Sequence, residues 1–478
     1  MDLNSLNKRT DVEWEIPRTG SMRVPGIIFA SPKLIHSMDH KVYQQVSHIA
    51  TLPGIIKASY AMPNASWRDG SPMGYVAAFD PDRGGVISAD GVWRDLYCGA
   101  RILHSGLKLQ DIAKFKPLLA DVLFRTIFAG VGREGRISLS MREMDDLLSG
   151  GAKWAVNAGF GCLEDLAFIE EQGCVAEADP SMLSERVKKS LRRELGTFGA
   201  GMQYLEIQHV TEIYNAYVAR SYGIQEDDIL ISIHCDSREM AYHTGTDFLA
   251  SMRLFREVSR IAFTDRALIS APVNSSVGAF YLGVMRSAIN YAFANRQILS
   301  HLIRAVFERV FPDSNLTLLH DASHNTDRVE MHEVEGSEMS IFIHRNGAAR
   351  VLGPGNIRIP ASLRAVGQPV LLGGNMGATS YILCGTEASE ERAFSSACCY
   401  RAGPCVSLNE RGRKPVANIA VANASGEAVL VRTPSLCDVG DNQPSPFYRH
   451  VSEVVNATDL AGLARKVARL EPVVCIAG

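Results

Sequence analysis

Short apolar runs of strand length alternate with longer runs of helical period along the chain, and no linker separates them. That alternation confines the fold to the α/β or α+β classes. Tyr75–Phe79, Ile229–Ile233, Leu316–Leu319 and Met339–Ile343 read as strands, as do Ala417–Val421, Ala428–Val431 and Val473–Ile476. Asp179 and Pro180 open a helix with Leu183, Val187 and Leu191 on one face. Leu299, Leu302, Ile303, Val306 and Val310 stripe another, which Pro312 ends. Thr458 caps a last helix, in which Leu460, Leu463, Val467 and Leu470 share a face up to Pro472. With 46% hydrophobic and 21% charged residues over 478 positions, the chain can bury a large core. No internal repeat is present, so the expectation is one α/β domain spanning 1–478.

The net charge of −3 excludes a globally basic nucleic-acid binder but leaves room for a local basic groove. The polar N-terminus is not a signal peptide, and no uninterrupted apolar run reaches membrane-spanning length. The expected setting is soluble, reducing and cytoplasmic. There the ten cysteines are buried hydrophobes or chemistry, not a disulfide framework.

Five segments hold residue types that carry chemistry. In Gly91–Gly99, Asp95 and Cys98 lie three apart before a glycine, so a tight turn can aim both at one ion; a turn with a surface Asp and a buried Cys is the plain alternative, and the better one on this segment alone. His234 ends the apolar run 229–233, at a strand end where sites collect; a hydrogen-bonded loop histidine is the plain alternative. His320, Asp321, His324 and Asn325 follow the strand 316–319, with Glu330, His332 and Glu333 after them. They read as ligands or as a solvated polar turn. Glycine-rich turns at 196–201, 353–355 and 373–377 let backbone amides approach phosphate, but none has the P-loop or dinucleotide spacing. Cys398 and Cys399 beside Arg401 can form a low-pKa nucleophile or simply one exposed and one buried thiol.

Taken in order, the segments resemble the RtcB-type RNA ligases, which join RNA 3′-phosphate or 2′,3′-cyclic phosphate ends to 5′-hydroxyl ends with GTP and manganese. The resemblance rests on Leu52–Ile55, Ala61–Pro63, Val76–Asp80, Asp95-x-x-Cys98-Gly99, Trp154–Val156 and Ala178–Ser181. It continues through Leu195–Thr197, Leu205–Gln208, the run Asn290–Arg296, His324-Asn325, His344-Arg345, Gln368–Leu371 and Asn375–Gly377. It implies a large α/β fold around a central metal pocket.

The resemblance also assigns residues. One ion falls to Cys98, His234 and His324, and a second to Asp95, Cys98 and the position of Gln203, where the family has histidine. Manganese is the implied ion, and a Cys/His/His set suits zinc as well. The nucleotide falls against Glu206, His324, Asn325, Gly374, Asn375, Met376 and Ser380. The family's histidine that takes GMP covalently stands at Cys399 here, and its penultimate lysine at Ala477. Met202, Ser66 and the Ser237–Ala241 turn also depart from the family pattern. The implied function is RNA ligation on tRNA or broken RNA ends, without a membrane. The alternatives are a GTP-independent metal phosphoesterase and a non-catalytic RNA-end-binding paralogue.

Overall fold

In the two middle strands of the central sheet, Leu205-Glu206-Ile207-Gln208 and Ile231-Ser232-Ile233-His234 alternate branched apolar side chains with polar ones, and that alternation gives the sheet two different faces. The computed structural model describes residues 3–68, 71–88, 98–127, 137–198, 203–235, 270–374, 378–399, 417–422, 428–433 and 448–477. In the nine-stranded sheet the order runs Thr317–Ser323, Gly99–Lys108, Asp228–Cys235, Tyr204–Ile213, Arg465–Ala477, Ser380–Cys384, Pro369–Leu372. Ala428–Thr433 joins it by parallel pairing with Arg465–Ala477, and Ala417–Ala422 pairs outside that. A seven-stranded sheet carries Ser71–Phe79, Ser337–Asn346 and the edge strand Asn325–Val334.

One face of the central sheet packs on a helix of 35 residues, Ser276–Val310. Ser275 caps it by accepting from Gly278 N. Most of its residues are buried, including Ile289–Ser300 without a break, as befits a helix inside a core rather than on a surface. Leu103, Leu205, Ile207, Ile229, Ile231 and Ile233 share one buried cluster with this helix. Their even-numbered neighbours look the other way, and on that side Tyr204, Glu206, Ser232 and His234 are all buried.

The expected strands form, most of them longer than their apolar runs. Four expectations change. The segment 465–477 is a strand and not a helix, although its apolar spacing fits a helix. It is paired on both sides, with Tyr204–Ile213 and with Ser380–Cys384, and Pro472 sits at an irregularity in the first ladder. Thr458 lies near the end of the helix Tyr448–Leu460, where it donates back to Val454 O, and caps nothing. The residues 320–323 are not a solvated turn either, since the strand continues through Ser323 and buries them. Asp179 does cap a turn, but a 3₁₀ turn at Pro180–Met182. The helix carrying Val187 and Leu191 starts after Ser184.

A strained turn leads to the two adjacent cysteines. Ala393, Phe394 and Ser395 are all left-handed, with φ of 43°, 53° and 53°, and all three are buried. Left-handed backbone is costly for residues with a Cβ. Buried Arg345 holds the turn, donating from Nη2 to Phe394 O (2.9 Å) and from Nε to Ser396 Oγ (2.7 Å), while it pairs with Glu330. Ser396–Cys398 then pairs with Ala348–Arg350. Ser395→Gly is expected to raise unfolding free energy by about 0.5–1 kcal/mol, the relief of strain less glycine's greater chain entropy. The urea midpoint checks it.

Candidate metal centre

Cys98, His234 and His324 come from distant parts of the sequence, and pairing register alone brings them together. Thr317–Ser323 pairs with Gly99–Lys108 so that Ser323 faces Gly99. Asp228–Cys235 pairs with the same strand so that Cys235 faces Gly99 and His234 faces Ala100. The three residues therefore share one end of three adjacent strands. His324 N donates to Cys98 O (2.9 Å), tying two of them directly. His324 is also the single residue between the last strand residue of one sheet, Ser323, and the first of the other, Asn325.

All three are buried, and their donor atoms lie within 4.8 Å of one another. Cys98 Sγ is 2.9 Å from His234 Nε2, and His234 Nε2 is 3.3 Å from His324 Nε2. A tetrahedral ion with bonds of about 2.0–2.3 Å needs neighbouring donors roughly 3.3–3.6 Å apart. The residues present therefore fit a single ion of that size with small adjustments. The imidazoles are stacked, with centroids 5.1 Å apart, and Tyr204 lies over His234 at 5.3 Å.

Gln203 directly precedes Tyr204, which pairs with and stacks on His234. It is buried, and neither atom of its amide has a hydrogen-bond partner among the described residues. Such an orphaned group costs roughly 1–3 kcal/mol, which an ion or an ordered water relieves. Asp95 lies outside the described residues, as do Asn375 and Met376.

The expected nucleotide residues are only partly gathered. Glu206 Oε2 accepts from Gln208 Nε2 (2.8 Å), which also donates to Ser380 Oγ (3.1 Å), so these form one buried polar chain. Asn325 instead accepts from Gly347 N (2.7 Å), holding a turn. Gly374 packs tightly, since a Cβ there would meet Thr379 O at 2.6 Å. Cys399 lines a small cavity with His320, His324, Ala349 and Leu371. Its thiol is pushed well above the usual cysteine range by burial and then by Cys398 beside it. Burial likewise pushes Cys398 up to about 12. Both thiols are buried, so the reading of one exposed and one buried thiol does not hold.

His320 is buried and held neutral, with burial pushing its pKa down to about 4. Its Nε2 meets Gln368 Nε2 at 2.9 Å. Behind the triangle, on the helix side of the sheet, Asp321 pairs with both Arg101 (2.6 Å) and Arg296 (2.8 Å), and all three are fully buried. Burial raises the Asp321 carboxyl, but the two guanidiniums outweigh it and hold the group below its ordinary value. A depressed carboxylate contributes stability above its unfolded pKa of about 3.9, lost as pH falls through the lower folded value. Asp321→Asn leaves two buried arginines without an anion. It is expected to cost about 3–5 kcal/mol at neutral pH and less in acid. Chemical denaturation across pH checks it.

A family model described as tRNA-splicing ligase RtcB matches residues 45–478. The chain belongs to the RtcB family. It is 38% identical over 473 residues to the tRNA-splicing ligase RtcB of Archaeoglobus fulgidus, covering 98% of each chain. It is 37% identical over 472 residues to that of Thermococcus kodakarensis, covering 97% of each. To the RNA-splicing ligase RtcB of Mycobacterium tuberculosis it is 38% identical over 439 residues, 91% of this chain and all of that one. RtcB membership gives the large α/β fold and the RNA-ligase class. No helix among the described residues is long and apolar enough to cross a membrane.

Proposed function

We propose that this chain is a divalent-ion enzyme of RNA ends. It takes a 3′-phosphate or 2′,3′-cyclic phosphate terminus and joins it to a 5′-hydroxyl terminus, on tRNA or broken RNA. The observation that carries this is the buried Cys98–His234–His324 triangle with donors within 4.8 Å. These three residues would hold the ion, with Gln203 and Asp95 available to a second. Manganese is what the RtcB resemblance implies, and the thiolate-bearing set also suits zinc. A bound ion supplies Lewis acidity toward a phosphate oxygen. Around it the protein does the rest. Tyr204 packs over His234 and fixes its ring, and the surrounding burial keeps water from the donors.

GTP is the nucleotide of the resemblance, but residue 399 does not fit a covalent nucleotide step. Its thiol is buried and pushed toward the neutral form, and a neutral thiol is a poor nucleophile. No step through GTP is therefore derived. The same observation favours a second reading, a phosphoesterase that opens cyclic phosphate ends with water and needs no side-chain nucleophile. The test uses labelled RNA carrying a cyclic phosphate, a 5′-hydroxyl partner and Mn²⁺, with and without GTP. Joined product supports ligation, and opened ends without GTP support the second reading. Neither product on any such end would overturn both.

A further inference from the structure

The run Asn290–Arg296 is one of the more specific segments of the family resemblance, yet none of its side chains is among the three ligands of the metal triangle. It lies in the middle of the long helix, behind the sheet. Asn290 Nδ2 donates to Leu148 O, Ser149 O and Val175 O, and its Oδ1 accepts from Val175 N (2.7 Å). Tyr291 donates to Leu191 O (2.9 Å). These contacts anchor neighbouring helices and loops. The last two residues of the run act elsewhere.

Asn295 Oδ1 accepts from Gly196 N (2.7 Å), while its Nδ2 donates to Thr197 O (3.0 Å) and Cys235 Sγ (3.4 Å). One amide thus ties the segment that leads toward Gln203 to the residue after His234. Arg296 donates from Nη1 to Cys235 O (3.5 Å) and pairs with Asp321, three residues before His324. Its guanidinium also lies flat against Gly99, where an added Cβ would meet Nη1 at 2.5 Å. A single fully buried guanidinium therefore touches the strand of each of the three ligand residues. It does so beside Cys98, beside His234 and three residues from His324. Arg101 reinforces it, reaching from the Cys98 strand to Asp321, Gln297 and Ser300.

We infer that Asn295 and Arg296 are positioning residues that set the shape of the Cys98–His234–His324 triangle from the far side of the sheet. Three strand ends can slide or twist relative to one another, and the donor separations follow that motion. A planar fork bound to all three strands removes it, which an ammonium on a flexible stem cannot do. Groups that orient metal ligands without touching the ion typically cost about 10–100-fold in affinity when changed. The inference rests on the metal reading proposed above.

The probe is Co²⁺ alone, titrated into the full chain, read by thiolate charge-transfer and ligand-field absorption. Melting of the apo protein is followed in parallel. Cys98→Ala should abolish the thiolate band, and a wild-type chain that binds no Co²⁺ overturns the metal reading together with this inference. Arg296→Lys and Asn295→Asp are expected to weaken Co²⁺ binding by about 10–100-fold and to change the ligand-field bands. Leu299→Ala, one turn further along the helix and equally buried, should lower the melting temperature and leave affinity and bands at wild type. Wild-type Co²⁺ affinity and bands in either folded variant would overturn the inference while the metal reading stands. Amide exchange on the wild-type chain needs no variant. By reciprocity, Co²⁺ should slow exchange at 196–198 and 296–300, and no change there counts against the coupling.

Discussion

Cys98→Ala is expected to leave a folded chain that holds no ion and processes no RNA ends. Cys98 is 2% exposed, and removing its sulfur costs packing of only about 1–2 kcal/mol, which a large core tolerates. The effect on the site is far larger. The thiolate is the one anionic donor in the described triangle, and the two imidazoles that remain are neutral when they bind metal. Losing it should exceed the roughly 10–100-fold effect of an outer change and bring retained metal to background after dialysis. Elemental analysis of wild type and variant, with a melting curve for each, checks this. An equal metal content in both proteins would place the ion elsewhere. Activity that survives the loss of metal would remove the Lewis-acid role from the chemistry.

The triangle was legible in sequence only through resemblance. Cys98, His234 and His324 sit in segments that each also read as plain turns or strand ends, because spacing along the chain says nothing about register between strands. The register that joins them depends on two antiparallel strand pairings, one setting Gly99 opposite Cys235 and Ala100 opposite His234, the other setting Gly99 opposite Ser323. Strand existence was easier, since apolar runs such as 229–233 announce themselves. The C-terminal strand was not, because Leu460, Leu463, Val467 and Leu470 happen to match a helical face. Pairing on two sides overrode that local pattern. Arg101 and Arg296 escaped notice beside the site, and Asp321 was read as a ligand or turn residue rather than as their partner, for a different reason. Charged groups are almost never fully buried unless paired, and their pairing is visible only once the helix lies on the sheet.

Cys399 is expected to behave as a structural thiol and not as the acceptor of a nucleotide. Burial first, and Cys398 second, hold its pKa well above the ordinary cysteine value. Both effects favour the neutral thiol over the thiolate that a nucleophile would need. Three results follow. Iodoacetamide should label residue 399 slowly in the native chain and fast in urea. Incubation with labelled GTP and Mn²⁺ should leave no adduct at 399. Cys399→Ala should retain cyclic-phosphate opening within about twofold, while Cys98→Ala loses it. The raised pKa values also fix the sign of an alkaline effect. Thiols whose folded pKa is raised contribute stability below the unfolded value of about 8.5, and lose it as pH rises toward the folded one. With both Cys398 and Cys399 shifted upward, the unfolding free energy should decline above that pH and flatten when both are replaced by alanine. A nucleotide adduct at Cys399, with rapid native alkylation, would reverse the assignment. It would make this thiol a working substitute for the family's histidine.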